Sequence, residues 1–439
     1  MVISDFLKEA TAKYPDRIAF IYGEDRFTFQ EAHQRSNQLA HALLEAGVHP
    51  GDRVVIFNTE SHRSLEIIFG SAKIGAAFVP LNYRMEQREL NSIFKNCEPR
   101  AVFYGRQYEE IVQKGSRGVS SIKTMIPMEG QGGYEAFIEG KRRPGKVMFP
   151  DTTPAMIIYT SGTTGPPKGV MFTHKKLVYR EIHGRKIPGE GQGLTMNVLL
   201  AVPLFHISGI QTCLKGVHSG ATLIIMPQFE TKAFFQIVER QKVGMAILVP
   251  TMIKMLTVHP GFPKFDLSSL FLIIYGGAPM PLTTIVPAME KMPHCMFIGT
   301  YGLTEASGTS LPHQDYLPKE GLEKGEIPPR LVSVGKVVPD MELKIVDERG
   351  LELPCGQVGE ILLKGEGIFD GYWGMPEETA RLIKDGWFNT GDAGYLDEEG
   401  YLFISGRIKE LIIRGGENIS PLEVETVLNA HPNVAISAV

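Results

Sequence analysis

Short apolar runs recur along most of this chain, and the intervals between them are long enough to hold a helix. The runs are VVIFN (54–58), AAFVPL, AVFYG, MIIYT (156–160), VLLAV (198–202), TLIIM (222–226), AILV (246–249) and FLIIYGG (271–277). A strand covered on both faces reads as a continuous apolar stretch, whereas a half-exposed one alternates. Parallel neighbours need a crossover of a dozen or more residues, usually a helix. Two intervals carry helical spacing outright. Ala32, Leu39, Leu43 and Ala46 recur along 31–46, with Gly47 as a stop, and Leu65, Ile68 and Ala72 mark a second helix. The pattern predicts an α/β fold: a large N-terminal domain of mostly parallel sheets with flanking helices.

From about residue 330 the texture changes. MELKIVD and GEILLKG are short strand signals set between Gly and Pro turns, which predicts a small β-rich subdomain over about 330–406. Beyond Arg407 the sequence reads IKELIIRGGENISPLEVETVLNAHPNV, with a helix expected over 421–430, Ser420 as its cap and Glu423 three residues on. The division expected is therefore 1–406 for the large domain. Residues 407–439 would hold a hinge and the truncated beginning of a small α+β C-terminal domain.

A chain of 439 residues exceeds one ordinary core. Its 43% hydrophobic and 21% charged residues suit a soluble globular protein. The formal net charge of −4 leaves no basic excess to neutralise phosphates, which argues against a nucleic-acid partner. The densest basic run, 141–146, contains Arg142, Arg143, Pro144 and Gly145 and reads as a solvated loop. No apolar stretch reaches the roughly 20 residues of a transmembrane helix, and the N-terminus lacks the pattern of a secretory signal. The cysteines Cys97, Cys213, Cys295 and Cys355 are scattered and form no CxxC pair, which fits reduced thiols in the cytoplasm.

The segment YTSGTTGPPKG (159–169) follows the run MIIYT directly. Gly162, Gly165 and Gly169 allow backbone conformations that turn successive N–H groups toward an anion. Ser161, Thr163 and Thr164 add hydroxyl donors, and Lys168 adds a positive charge. Those are the requirements for holding a triphosphate. The loop is not a Walker motif, which ends in Gly-Lys followed by Ser or Thr. Taken alone, a cluster of Gly, Ser and Thr reads more readily as a surface turn; the lysine and the preceding strand reverse that in favour of the phosphate reading.

In this loop the sequence resembles the adenylate-forming superfamily of acyl-CoA synthetases, luciferases and peptide-synthetase adenylation domains. Further motifs of that family stand in the same order: PLFHISG (203–209), YGGAPMP (275–281), TYGLTE (300–305), TGD (390–392) and SGRIKELIIRGGENISPLEVE (405–425). The likeness implies two half-reactions, formation of acyl-AMP and pyrophosphate from a carboxylic acid and ATP, then transfer of the acyl group to coenzyme A. It implies that Thr160, Ser161, Gly162, Thr163, Thr164, Gly165 and Lys168 hold the β- and γ-phosphates. Thr304 would donate to the α-phosphate, and Glu305 would help hold Mg²⁺. Tyr301 would stack on adenine, with Gly277 and Ala278 along its edge. Asp392 would accept from the ribose hydroxyls, and Arg407 would reach the ribose or the phosphate. Lys409 falls at the hinge, and Gly415, Gly416 and Glu417 at the loop that lines the coenzyme A channel. The family continues for roughly a further hundred residues with a lysine used in adenylation, and no residue here takes that role. The expectation is slow acyl-AMP formation by 1–439 alone.

For the acid, the resemblance places His206 in the pocket, with Ile210, Thr251, Met252, Met255, Gly276 and Thr309 as further walls. Amino-acid-activating relatives carry an aspartate where this chain reads Phe205-His206-Ile207-Ser208-Gly209, so an uncharged, lipophilic acid is expected. The leading reading is a fatty-acid or related acyl-CoA ligase acting on a small-molecule acid, ATP and CoA, with a homodimer left open. An aryl-acid or 2-succinylbenzoate CoA ligase is the alternative within the enzyme class. A non-catalytic acyl- or nucleotide-binding paralogue is the alternative of another class.

Overall fold

A computed structural model describes residues 1–141, 144–160, 166–183, 196–306, 331, 333–410, 412–414, 417–419, 421–429, 431, 434, 437 and 439. The chain divides into two compact units. The first is Met1–Ile247 with Phe369–Glu377, and the second is Leu248–Ile368 with Glu378–Val439.

The first unit holds a seven-stranded sheet. Its order is Gly371–Tyr372, Lys168–Thr173, Pro154–Thr160, Ala77–Pro80, Arg53–Phe57, Ala101–Tyr104 and Thr124–Pro127. The last five of these run parallel, and the first two are antiparallel to their neighbours. Val55, Phe57, Val79, Val102 and Ile157 lie with Leu90, Ile93 and Phe94 in one buried cluster, so the strand runs read from the sequence do face a core. A second set of strands in this unit, Ile18–Tyr22, Thr222–Ile225, Asn197–Leu200 and Met245–Leu248, is also parallel. Asp25–Thr28 turns back antiparallel beside Ile18–Tyr22.

The helix expected over 31–46 spans Phe29–Glu45. It begins earlier because Thr28 and Glu31 close a capping box, in which the threonine hydroxyl accepts from Glu31 N at 3.1 Å and the glutamate accepts from Thr28 N at 2.7 Å. Helix His62–Lys73 is packed against it. Between and beside these helices lies a charged network. The Arg35 Nε donates to Glu66 Oε1 at 2.7 Å, the Tyr134 phenol donates to Glu66 Oε2 at 2.7 Å, and Arg63 Nε donates to Glu135 at 2.9 Å.

The second unit begins with helix Pro250–Val258 and a parallel strand pair, Leu272–Gly276 and Met296–Thr300, joined through helix Leu282–Lys291. The β-rich part follows. Met341–Val346, Gly359–Gly365, Trp387–Leu396 and Ile383–Lys384 pair antiparallel in that order, and Leu402–Arg407 pairs with Trp387–Leu396. A hairpin of Ile412–Arg414 and Glu417–Ile419 precedes helix Pro421–Asn429. The molecule is thus α/β with mostly parallel sheets and a separate antiparallel one, as the apolar runs predict. Arg142, Arg143, the cap Ser420 and the expected last helical residue Ala430 lie outside the described residues. Among the described residues no helix is long and apolar enough to cross a membrane.

Candidate active site

In the second unit, two parallel strands end side by side. Tyr275 faces Gly299 and Gly276 faces Thr300 in their register, so Gly277, Ala278 and Tyr301 leave the carboxyl ends of adjacent strands together. Ligands of α/β sheets bind at such ends. The approach is close. A Cβ on Gly276 would lie 2.5 Å from Thr300 Oγ1 and 2.6 Å from Thr300 O, so only glycine fits there. Gly277 sits at φ +80°, a conformation glycine takes without strain.

The Tyr301 phenol donates to Asp392 Oδ2 at 2.6 Å. Arg407 Nε donates to the other oxygen, Oδ1, at 2.8 Å. The Arg407 contact follows from the antiparallel register, in which Asp392 and Arg407 are direct partners. Thr390 braces the turn, accepting from Asp392 N at 3.0 Å and donating to Ile361 O at 2.8 Å. Asp392 is only 6% exposed. That burial raises its pKa above the ordinary carboxylate value, while the Tyr301 hydrogen bond and the Arg407 charge oppose the rise and the charge of Glu305 adds to it. The Tyr301 phenol is pushed up by burial first and by the Asp392 charge second, so it remains a donor.

Glu305 is therefore near enough for its charge to act on Asp392. Thr304 and Glu305 lie half-buried in the turn after Met296–Thr300, closed by Leu303 N to Ala306 O at 3.0 Å and by the bridge from Ala306 to Ile368. Lys409 is exposed in a single 3₁₀ turn, Ile408–Glu410, between Leu402–Arg407 and Ile412–Arg414.

In the first unit, Thr160 and Lys168 are register partners at the connected end of an antiparallel pair, a pairing that the sequence does not announce. Lys168–Thr173 is a short strand beginning and ending in polar residues. The Lys168 ammonium lies 5.2 Å from the Tyr372 ring centroid, and Trp373 N donates to Gly169 O at 2.7 Å. Ser161, Gly162, Thr163, Thr164 and Gly165 lie outside the described residues.

His206 is the N-cap residue of helix Ile207–Ser219 and is exposed. Its pKa is lowered, first by desolvation and then by the Arg84 guanidinium. The turn before the helix is tight, with His206 N donating to Pro203 O at 3.0 Å and Gly209 N to His206 O at 3.0 Å. A Cβ on Gly209 would stand 2.2 Å from Pro203 O. Of the other walls expected, Ile210 is buried, Met252 and Gly276 are half-buried, and Thr251 and Met255 are exposed. Thr309, Gly415 and Gly416 lie outside the described residues, as does the side chain of Glu417.

Two contributors escape sequence reasoning. The phenol of Tyr301 bonds Asp392 in addition to any role of its ring, and the buried carboxyl of Glu60 accepts from Leu204 N at 3.0 Å within the PLFHISG segment. Their only sequence signals are a tyrosine in TYGLTE and an acid one residue after Asn58-Thr59.

The model of one family, described as AMP-binding enzyme, matches residues 7–373. This chain belongs to the AMP-binding enzyme family. Among related members, the fatty acid–[acyl-carrier-protein] ligase ScoC of Streptomyces coeruleorubidus is 34% identical over 418 residues, 94% of this chain and 78% of that protein. The indoleacetate–CoA ligase of Aromatoleum aromaticum is 30% identical over 445 residues, covering 100% of this chain and 85% of that protein. Among solved structures, the o-succinylbenzoate coenzyme A synthetase MenE of Bacillus subtilis, in complex with AMP, superposes with a TM-score of 0.83 and 28% identity, covering 99% of this chain and 84% of that one. The family likeness read from the phosphate loop and the motifs after it is therefore correct.

Proposed function

We propose that this AMP-binding enzyme is an acid–thiol ligase that activates a lipophilic carboxylic acid with ATP and passes the acyl group to coenzyme A. The observation that carries the reading is the bonded trio Tyr301–Asp392–Arg407 at the carboxyl ends of two parallel strands, with Glu305 beside it. A buried carboxylate bonded by a phenol and a guanidinium is an acceptor for ribose hydroxyls. Gly277 and Ala278, which carry no bulk, leave the flat side of a base free to lie against the backbone.

In the first half-reaction an acid oxygen attacks the α-phosphorus of ATP, and the bond to pyrophosphate breaks. In the second the coenzyme A sulfur attacks the acyl carbonyl, the thiol proton is lost and AMP leaves. Lys168 and the loop it closes would hold the β- and γ-phosphates, and Thr304 the α-phosphate. Their contribution is placement and charge neutralisation, because carboxylate and polyphosphate repel one another. Glu305 fits Mg²⁺, which commonly takes one or two protein carboxylates and completes its shell with phosphate oxygens and water. The ion would offset phosphate charge there. Lys409 would be the hinge between 1–406 and 407–439, with Gly415, Gly416 and Glu417 toward the coenzyme A channel. We place the protein in the cytoplasm and leave a homodimer open.

The absence of an acid in Phe205–Gly209 supports an uncharged substrate. A fatty acid is the first reading. An aryl acid is the second, favoured by the indoleacetate and o-succinylbenzoate enzymes among the relatives. The experiment is pyrophosphate release and mass-spectrometric detection of acyl-AMP across acetate, hexanoate, decanoate, palmitate, benzoate and phenylalanine. Decanoate or palmitate leading supports the fatty-acid reading, and benzoate leading moves the enzyme to the aryl branch. Phenylalanine leading sinks both, and no adenylate from any acid with the full-length protein points to a binding paralogue.

A further inference from the structure

Glu60 lies between strand Arg53–Phe57 and helix His62–Lys73, and it is 4% exposed. Its Oε1 accepts from Leu204 N at 3.0 Å, a bond between positions 144 residues apart. Among the described residues no cation pairs with it. Burying an ionisable group without a counter-charge is unfavourable, and a glutamine could accept the same bond at less cost. The position of the acceptor gives the acid a reason to be there.

Leu204 opens the turn that delivers His206. Residues 203–206 close on themselves through His206 N and Pro203 O, and helix Ile207–Ser219 starts at once, with Ile210 N donating to His206 O at 3.2 Å. Phe205 packs edge-on with Tyr83, with ring centroids 5.8 Å apart, and its ring lies 4.6 Å from that of His206. Tyr83 is itself fixed by Gln228 Nε2 and Arg84, which donate to its hydroxyl at 3.2 and 3.1 Å. The turn is thus pinned at three consecutive residues: the Leu204 amide by Glu60, the Phe205 ring by Tyr83, and His206 by the helix it caps. Of these pins only Glu60 acts on the backbone from outside the segment.

We propose that Glu60 is a positioning residue for the acid-binding side of the active site, holding the Leu204 amide so that His206 is presented in one orientation. The proposal rests on the reading that His206 lines the acid pocket. It predicts that losing the acceptor weakens recognition of the acyl part of a ligand and spares the nucleotide part. A general loss of folding would instead weaken both.

The test uses equilibrium binding, by calorimetry, of AMP and of decanoyl and benzoyl sulfamoyl-adenosine, stable mimics of acyl-AMP. The whole chain is assayed as wild type, Glu60→Met, Glu60→Gln, His206→Ala and the double variant Glu60→Met/His206→Ala. Methionine fills the same volume without an acceptor, and glutamine restores one, so both are compatible with the buried site. Glu60→Met is expected to bind the tighter mimic about tenfold more weakly with AMP affinity changed less than twofold, and Glu60→Gln to recover most of the loss. The double variant should be no worse than His206→Ala. If Glu60→Met binds the mimic as wild type does, loses AMP equally, or adds its full effect to that of His206→Ala, the positioning role is wrong. If His206→Ala itself leaves the mimics unaffected, the pocket reading has failed instead.

Discussion

Asp392 carries two bonds on one buried carboxylate, and each can be removed separately. Tyr301→Phe deletes the hydroxyl that donates to Oδ2 and keeps the ring. A hydrogen bond to a charged group is worth about 1.5–3 kcal/mol to the folded protein, and AMP affinity should fall severalfold because the carboxylate is less well aimed. A nucleotide lacking the ribose 2′-hydroxyl should be penalised less by the variant than by the wild type, because the carboxylate that reads that hydroxyl is no longer aimed. Equal penalties in titrations of AMP and 2′-deoxy-AMP would show that the phenol does nothing for the ribose. Glu60 gives a second expectation, on stability and pH. Burial raises its pKa from the ordinary 4.5 to about 8, with the Leu204 amide opposing the rise. The folded state therefore holds a proton that the unfolded chain releases. The contribution of neutral Glu60 is complete below about pH 4.5 and is lost as pH rises through about 8. Glu60→Gln should remove that slope. Melting temperatures of the two proteins from pH 5 to 9 should diverge upward in favour of the variant, and parallel curves would refute the assignment.

Helices Phe29–Glu45 and His62–Lys73 and the short helix Tyr134–Ile138 meet at Glu66, a fully buried carboxylate bonded to Arg35 and Tyr134. Arg35 is also paired with Glu135 at 2.9 Å, so removing Glu66 leaves chiefly the buried Tyr134 phenol without its acceptor, at a cost of about 1–3 kcal/mol. Glu66→Ala should therefore lower the free energy of unfolding in urea by that amount, and a loss below 1 kcal/mol would show the network to be incidental. How such elements could be read differs with their chemistry. The parallel strands were legible because burial on both faces makes VVIFN, MIIYT and TLIIM uniformly apolar. Helix Phe29–Glu45 was legible from Leu39 and Leu43, although its start was misplaced by two residues because a Thr28–Glu31 box is a contact between side chains and not a period. Strand Lys168–Thr173 was not legible, since its six residues carry polar ends and its partner lies across a turn. The same limit hid the site's supports. TYGLTE and TGD announced Tyr301 and Asp392, but only the pairing of Trp387–Leu396 with Leu402–Arg407 sets Arg407 opposite Asp392, and only the fold brings the Tyr301 phenol to the same carboxylate. Glu60 and Leu204 are 144 residues apart, and no local pattern joins them.

At the scale of the whole molecule, one nucleotide site is asked to serve two reactions with opposite demands. Adenylation needs pyrophosphate to leave and the acid to approach the α-phosphorus. Thioester formation needs a thiol to reach the acyl carbonyl of the adenylate that resulted. We propose that part of the chain exchanges positions between the steps, and we place that exchange at the turn Ile408–Glu410. It follows Arg407, which is tied to Asp392, and precedes the hairpin Ile412–Arg414 with Glu417–Ile419, so rotation there would leave the Asp392–Arg407 pair in place while the hairpin moves. Lys409 is exposed, and its side chain can be changed without disturbing a core. A hinge works by changing φ and ψ at a few positions. Proline fixes φ near −65° and restricts the residue before it, so Lys409→Pro should limit rotation at the turn. The outcome expected is asymmetric. Pyrophosphate release should stay within about threefold of wild type or thioester formation from preformed acyl-AMP should, while the other step falls at least tenfold, since a restricted turn favours one arrangement. Stopped-flow measurement of the two half-reactions would decide it. Equal loss in both, or a change confined to ATP affinity, would mean that Lys409 is not where the molecule turns.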